Sequence, residues 1–342
     1  MNPYKSQPKH AFWSRSVSDR HISEVVDLFT PIPNLKQLKV ATGGSCFAQH
    51  IGKALRQRDM KYMDLEPPPA LLTAHDADRL GYGVYSCRYG NIYSVRQLVQ
   101  LFDEAFGRRL PRNIIWSRGA RVFDALRPGI EPDGFTCEEE VKTLRAAHLI
   151  QVRRMFEELD LFIFTLGLTE TWIGRDGTAL PSAPGVIAGS YERGEVEFKN
   201  FRYPEIVNDL TLFIRSLREV NSSAQVLLTV SPVPLVATAT GDHVLKATIY
   251  SKSTLRAAAQ DICADLEGVY YFPSYEIISG HPTRGIFFNP DLRTVSSMGV
   301  ELVMKHFFSP SLDGHRGETI VENMLPSGYE HCEDALIESV VA

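Results

Sequence analysis

Residues 39–51 decide the fold of this chain, and they read Lys39-Val40-Ala41-Thr42-Gly43-Gly44-Ser45-Cys46-Phe47-Ala48-Gln49-His50-Ile51. Apolar residues lead into two glycines, and a serine follows them where a helical pattern begins, which predicts a strand, a tight turn and a helix. Paired glycines permit a sharp turn and the close approach of a ligand. The N–H groups at the start of the helix favour negative charge beside Ser45. We therefore predict that Ser45 is a nucleophile next to an oxyanion site.

The same position is also typical of a helix cap. Serine is a common N-cap residue because its hydroxyl accepts a hydrogen bond from the first turn of the helix. A capping box would need Glu or Gln at the third helical position, where Ala48 stands. The local sequence leaves both interpretations of Ser45 open. Cys46 is an alternative nucleophile, because the N-terminus of a helix stabilises a thiolate.

Motifs for metals and cofactors are missing from the sequence. The five cysteines include no Cys-x-x-Cys pair, so neither a disulfide framework nor a zinc site is expected. The pair Gly52-Lys53 lies too far from Gly44 for a Walker motif, and Ala54 follows it. No dinucleotide-binding motif occurs either. We therefore expect neither a cofactor nor a metal.

Length and charge limit the class of protein. The 342 residues are 44% hydrophobic and 23% charged, which favours one elaborated globular domain. A net charge of −5 and a pI near 6.1 argue against a nucleic-acid partner. The first ten residues lack an apolar signal core, and no stretch is long and apolar enough for a membrane span. We expect a cytoplasmic protein.

Apolar runs alternate with amphipathic segments along the chain. Residues 161–167 form a continuous apolar run, as expected of a strand that is buried on both faces. Further strands are predicted at 226–233 and 269–272. Helices are predicted at 94–106, 138–159, 204–219, 251–266 and 296–308. This alternation predicts a three-layer α/β fold with a central, mostly parallel sheet and helices on both faces. Ligands of such sheets bind at the carboxyl ends of the strands.

The remaining segments divide the chain into three parts. Residues 1–33, with a short helical pattern near Ile22 to Phe29, are predicted to wrap the domain as an N-terminal arm. Residues 34–309 form the domain, with insertions near 108–136 and 173–201. Residues 310–342 are polar and acidic, and we expect a disordered tail.

Gly44-Ser45-Cys46-Phe47-Ala48 spells the signature of the GSCFA-domain family, which itself resembles a branch of the SGNH (GDSL-like) hydrolase superfamily. The likeness extends from about Gln37 to Phe308. It implies a flavodoxin-like, SGNH-type form of the three-layer fold. It also implies that Ser45 is the nucleophile, because the serine after the first strand has that role in the superfamily.

The resemblance implies further oxyanion donors. Beside the N–H groups around Gly44 and Cys46, the second block of the superfamily corresponds to Gly90 and Asn91, although Gly90 also suits an ordinary turn. The third block, Gly-x-Asn-Asp, corresponds here to residues 167–170. Gly167 is retained, Thr169 takes the place of the Asn with only a hydroxyl to donate, and Glu170 takes the place of the Asp.

The catalytic histidine is not where the resemblance would place it. The superfamily supplies its base from Asp-x-x-His before the last helix, and here Asp291 is followed by Thr294 at the histidine position. His281 lies in the same loop. His243 precedes a segment that resembles the family stretch ending in Tyr250-Ser251-Lys252. Either histidine can equally be a solvated loop residue. We favour His243, with Asp242, Asp291 or Glu170 as its orienting carboxylate, and predict a hydrogen bond of about 2.6–3.2 Å to the Ser45 hydroxyl.

Two functions from different classes follow. The first is a serine-dependent ester hydrolase or O-acyltransferase acting on a small-molecule or glycan acyl ester. The resemblance to the superfamily implies O-acyl groups, acetyl above all, on a carbohydrate-like acceptor as the substrate. The second is a non-catalytic module that binds a sugar or phosphate ligand at the glycine-serine turn. The missing Asp-x-x-His motivates the second.

Overall fold

The computed structural model describes residues 2–25, 27–30 and 32–308, so the predicted tail at 310–342 lies outside the described residues. The strands are β1 (Val40–Gly44), β2 (Ile115–Arg118), β3 (Arg121–Asp124), β4 (Leu161–Leu166), β5 (Glu170–Gly174), β6 (Ala179–Leu180), β7 (Val196–Asn200), β8 (Gln225–Val230) and β9 (Val269–Phe272). The α-helices are α1 (Ala48–Gln57), α2 (Ala74–Arg79), α3 (Val95–Ala105), α4 (Glu138–Glu158), α5 (Tyr203–Val220), α6 (Val244–Asp265), α7 (Ser274–Ser279) and α8 (Ser297–Phe308).

The central sheet is parallel, with the strand order β1-β4-β8-β9. On the free side of β1, Val40 forms a parallel bridge with Tyr62. The Val40 N–H donates to the Lys61 carbonyl, and the Val40 carbonyl accepts from the Met63 N–H, each at 2.9 Å. Counting this bridge as a rudimentary strand, the order corresponds to the 2-1-3-4-5 pattern of flavodoxin-like folds. The predicted fold class is confirmed.

Strand β4 shows why the fold has three layers. All six of its residues are buried, and successive side chains point to opposite faces of the sheet. Phe162 and Phe164 join the core formed with α3, α4, α5 and α6. Leu161 and Ile163 join a second core formed with α1, α7 and α8. Helices therefore cover both faces, which is the environment that a continuous apolar strand requires.

The two insertions form small sheets of their own. The 108–136 insertion contains the antiparallel hairpin of β2 and β3. The 173–201 insertion supplies β6 and β7, which pair antiparallel with β5 in the order β6-β5-β7. Since β5 begins four residues after the end of β4, this second sheet stands directly at the carboxyl edge of the central sheet. It thereby supplies a wall to any site at that edge.

Two predicted helices differ from the structure. Helix α6 begins at Val244, seven residues before the predicted start, because the His243 side chain caps it by accepting a hydrogen bond from the Leu245 N–H (3.1 Å). The helical pattern near residues 22–29 yields only a 3-10 turn at Ile22–Glu24. The N-terminal segment is nevertheless attached to α8, since the Val25 carbonyl bonds to Nε2 of His306 at 2.6 Å. Within the described part of the chain, no helix has the length and apolar character to cross a bilayer.

Candidate active site at the carboxyl edge of the sheet

Ser45 stands in a tight turn directly after β1. Its preceding residue, Gly44, has φ of +128°, and a Cβ atom there would lie 2.3 Å from the carbonyl oxygen of Thr165. The Ser45 N–H donates to that same oxygen at 3.1 Å, and the Gly44 carbonyl accepts from the Ile92 N–H at 2.9 Å. Glycine at position 44 therefore lets the turn lie against β4, and hydrogen bonds on both sides hold Ser45 in place.

The Ser45 hydroxyl has no hydrogen-bond partner among the described residues, although the residue is only 3% exposed. It does not cap α1, because the N-cap position is Phe47 and no side chain caps that helix. An unpaired buried hydroxyl costs about 1–3 kcal/mol of folding free energy. Such groups are rare in folded proteins and need a reason, of which a catalytic role is one. The geometry therefore excludes the cap interpretation of Ser45, and the nucleophile interpretation stays a prediction.

A cavity of about 220 Å³ opens in front of Ser45. It lies between the ends of β1 and β4, which is the switch point where ligands of such sheets bind. One wall is the chain after β8, from Ser231 to Ala239, and the other is the second sheet with the loop at 181–186. Trp172 of β5 packs its ring against Phe198 of β7 on this second wall (ring centroids 5.6 Å apart). The lining is mostly apolar, with few polar groups, as in small-molecule sites.

The acidic and basic side chains of the lining come from β5 and α6. The Glu170 carboxylate accepts a hydrogen bond from Oγ1 of Thr238 (2.7 Å). Burial raises the pKa of Glu170, and the hydrogen bonds from Thr238 and Ala239 offset only part of that effect. On the other side, Nζ of Lys252 donates to the carbonyl oxygen of Gly167 at 2.8 Å, and Lys252 is only 1% exposed.

Four of the predicted site residues line the cavity, namely Ser45, Cys46, Gly167 and Glu170. The N–H of Ser45 is already bonded to β4, whereas none of the described residues accepts a hydrogen bond from the N–H of Cys46. The turn therefore leaves the Cys46 N–H, at the start of α1, as the donor that can face negative charge on a ligand.

The predicted oxyanion residues Gly90, Asn91 and Thr169 do not line this cavity. Gly90 has φ of +68° and packs near Arg127, and the Asn91 side chain accepts a hydrogen bond from the Tyr85 hydroxyl. Thr169 is fully buried, and its N–H donates to Oγ of Ser251 (3.0 Å). These residues support the walls of the site, because their polar groups are directed into the protein.

Near the second block, Gly90-Asn91, the residue that lines the cavity is Tyr93. Its carbonyl oxygen accepts a hydrogen bond from the Leu168 N–H at 2.9 Å. This bond ties the segment after Asn91 to the loop that follows β4. The contribution of this segment to the cavity is thus Tyr93 and its backbone hydrogen bond to Leu168, rather than the N–H of Gly90.

The two candidate histidines lie elsewhere. His243 is exposed at the N-cap of α6, and the exposed ring of His281 stacks on Trp13 at 5.2 Å between centroids. Neither lines the cavity, and the predicted hydrogen bond from His243 to the Ser45 hydroxyl is absent. Asp291 is also exposed and outside the lining. Its carboxylate accepts from the hydroxyl of Thr294 (2.7 Å), so the residues at the Asp-x-x-His positions bond to each other.

A buried histidine that the sequence analysis did not select lies in α4. His148 shares a hydrogen bond between its Nδ1 and the carboxylate of Glu66 (2.7 Å), and its Nε2 has no partner among the described residues. Burial and the charge of Arg127 lower its pKa to about 4, against the opposing effect of Glu66. It lines a second, smaller cavity of about 40 Å³ with Tyr89, and that cavity does not include Ser45.

Helical periodicity is the signal that would have located both missed residues. His148 shares the buried face of α4 with Val141, Arg145 and Val152 at spacings of three and four residues. Lys252 likewise lies on the buried face of α6, between Ala247 and Leu255. Polar residues at core positions of an amphipathic helix need partners, and are therefore candidates for functional or network roles.

A sequence model of the GSCFA family matches residues 39–307, which covers most of the chain and includes every residue of the cavity lining. No curated protein matches the chain.

Proposed function

The chain belongs to the GSCFA family, and from this premise and the geometry at Ser45 we propose that it is a serine-dependent ester hydrolase or O-acyltransferase. Its substrates are O-acyl groups, acetyl above all, on a carbohydrate-like acceptor. The substrate class rests on the resemblance to SGNH hydrolases. The cytoplasmic location and the lack of a nucleic-acid partner stay predictions of the sequence.

The observation that carries the proposal is the Ser45 hydroxyl. It is buried, has no hydrogen-bond partner among the described residues and faces a cavity at the switch point of a parallel sheet. A hydroxyl in this state is held ready for a ligand. Serines with a structural role commonly bond to the backbone or cap a helix, and Ser45 differs from the equally unpartnered Ser182 because it stands in the turn before the N-terminus of α1.

The geometry supports the following chemistry. The Ser45 oxygen attacks the ester carbonyl, and the negative charge on the carbonyl oxygen is stabilised by the Cys46 N–H and the N-terminus of α1. The alcohol leaves, and an acyl-serine remains. Water or the hydroxyl of an acceptor then takes the acyl group. The walls of the cavity are mostly apolar around Trp172 and Val233, and the extent to which they exclude water decides between hydrolysis and transfer.

A fluorophosphonate probe and an acetyl ester test the proposal directly. We expect the probe to label wild type at Ser45, and Ser45→Ala to lose labelling and at least about a thousandfold in ester turnover, because it lacks the nucleophile. Ser182→Ala is the matched control. Ser182 is also buried, lines the same cavity and has an unpartnered hydroxyl, but it does not stand at a helix N-terminus. Its replacement should leave labelling unchanged.

A second function is favoured by one observation, namely that no histidine of the described residues lines the cavity. On this alternative the chain is a non-catalytic module that holds a sugar or phosphate ligand in the cavity. It predicts that wild type and Ser45→Ala have the same background turnover and that the probe labels neither. That outcome would replace the esterase proposal with the binding module.

A further inference from the structure

The side chain of Lys252 is buried next to the proposed nucleophile. Lys252 is 1% exposed, lines the cavity with Ser45 and donates from Nζ to the carbonyl oxygen of Gly167 at 2.8 Å. Lysine is almost never fully buried without a specific partner. A carbonyl oxygen accepts from an ammonium more strongly than from a neutral amine, but it can accept from both, so this contact is compatible with either protonation state.

Gly167 connects Lys252 to Ser45. A Cβ atom at position 167 would lie 2.9 Å from Cβ of Ser45, so the two residues are in direct contact. Gly167 thus contacts Ser45 on one side and Nζ of Lys252 on the other. The neighbouring Ser251 hydroxyl accepts from the N–H of Thr169, which fixes this turn of α6 against the loop after β4. The amine is therefore held within one residue of the Ser45 side chain.

We propose that Lys252 is the general base of Ser45, in place of the histidine that the sequence led us to expect; this inference rests on the proposed ester chemistry. Removal from water disfavours the charged form of a lysine, which is how buried lysines come to act as general bases. The other titratable groups in the lining are Cys46, Tyr93 and Glu170. Of these, Glu170 is bonded to the loop after β8, where its carboxylate accepts from the Thr238 hydroxyl and the Ala239 N–H.

The proton balance of the reaction is complete with this pair alone. As the bond from Ser45 Oγ to the acyl carbon forms, the hydroxyl proton moves to Nζ and the carbonyl electron pair moves to the oxygen. When the intermediate collapses, the bond to the leaving alcohol breaks and that alcohol takes the proton from Nζ. Water or an acceptor hydroxyl then attacks the acyl-serine, its proton passes to Nζ, and Nζ returns it to Ser45.

The structure also indicates the movement that this step requires. Ser45 Oγ has no partner and Nζ is bonded to Gly167, so Nζ has to approach Oγ directly or through one bridging water when the ester binds. Lysine has four rotatable side-chain bonds, which give its amine the freedom for this movement.

Three substitutions at position 252 test the base. We expect Lys252→Met to lose about 10²–10⁴-fold in turnover of an acetyl ester, the usual contribution of a general base. Lys252→Arg should lose a similar factor, because a guanidinium keeps the charge but cannot accept a proton. Lys252→Ala should regain part of its activity when ethylamine is added, in proportion to the amine concentration. Lys246→Met, in an exposed part of the same helix, is the control and should have wild-type activity.

Full activity of Lys252→Arg would overturn the inference, because it would show that only charge or packing is needed. A folded Lys252→Ala that ethylamine does not rescue would overturn it as well. Thermal unfolding of each variant identifies those that fail to fold. If the Lys252 variants fail to fold, a second measurement uses protein that retains Lys252, namely the pH dependence of the rate at which the probe labels Ser45. Its acid limb should persist in His148→Gln and His243→Gln, and its loss in either variant would assign the base to that histidine instead.

The experiments distinguish a wrong assignment of the general base from a wrong proposed function. If wild type shows no turnover or labelling that depends on Ser45, the esterase proposal fails, and the role of Lys252 fails with it. If wild type is active through Ser45 and the Lys252 variants are equally active, only the assignment of the base is wrong.

Discussion

Two regions of the molecule bury ionisable or polar side chains in opposite ways. Behind the 108–136 insertion, Asp124 is fully buried and bonds to Arg127 (2.7 Å) and Arg145 (3.0 Å). Arg145 also pairs with Glu104 on α3. At the carboxyl edge of the sheet, the buried Ser45 hydroxyl has no partner in the described chain and faces a cavity.

The difference between the two regions distinguishes a structural network from a candidate site. In the charge cluster around Asp124, each charge is compensated by an opposite one, and the two arginines keep the pKa of Asp124 low although burial alone would raise it. These contacts attach the β2–β3 hairpin to α3 and α4. At Ser45, by contrast, the turn is held by backbone hydrogen bonds that leave the hydroxyl unused. The protein thus accepts a cost in stability at the position where we propose the reaction.

The largest effect is expected at Asp124. Asp124→Asn leaves Arg127 and Arg145 buried without a full counter-charge, and we expect a loss of about 3–5 kcal/mol in the free energy of unfolding, measured with urea. Asp133→Asn in the same insertion is the control. Asp133 pairs with Arg79 at the surface, where water replaces the contact, so no measurable loss is expected. Equal losses in the two variants would contradict the distinction between the regions.

A smaller loss in the free energy of unfolding is expected when the pH is lowered. His148 has a pKa of about 4 in the folded protein and about 6.5 when unfolded, so the unfolded state takes up the proton first as the pH falls. Its contribution to stability is therefore complete above about pH 6.5 and is lost between pH 6.5 and 4, by about 3 kcal/mol. Urea unfolding at several pH values measures this slope. His148→Gln should flatten the slope, and His243→Gln, at an exposed position, should not.

The smallest expected effect on the free energy of unfolding is zero or a gain rather than a loss. Ser45→Ala removes a buried hydroxyl without a hydrogen bond, so we expect unchanged stability or a gain of up to about 1 kcal/mol. The matched variant is Ser274→Ala, whose hydroxyl is equally buried but donates to the Val230 carbonyl (2.9 Å) and bonds to Thr229. There we expect a loss of about 1–2 kcal/mol. If Ser45→Ala were the more destabilised of the two, Ser45 would have a structural role that its geometry does not account for.

Local sequence patterns predicted the strand, turn and helix around Ser45 and the edge of the sheet at which the site lies. The strand, turn and helix around Ser45 could be read from residues 39–51, because each step depends on neighbours in sequence. Alternation of strand and helix patterns gave the parallel sheet, and the carboxyl ends of its strands gave the edge where Ser45, Gly167 and Glu170 meet. The second sheet beside that edge was expected only as an insertion near 173–201.

The histidines show where the prediction fails. His243 was favoured with the neighbouring carboxylate Asp242 as its orienting group, but the backbone enters α6 earlier than expected and the imidazole caps that helix. Its exposed position at the helix end directs it away from Ser45. From sequence alone, the position of a residue near a strand end is known only to within one or two helical turns. A hydrogen bond requires its two atoms to be placed to within a few tenths of an ångström.

The sequence by itself determined the fold class, the turn that presents Ser45 and the need for glycine at position 44, because these follow from local periodicity and backbone conformation. Only the tertiary structure decided that Lys252, more than two hundred residues later, lines the same cavity as Ser45 while His243 does not. That outcome depends on where α6 begins and on how it packs against the loop after β4. Both are set by contacts between distant segments, which no local pattern encodes.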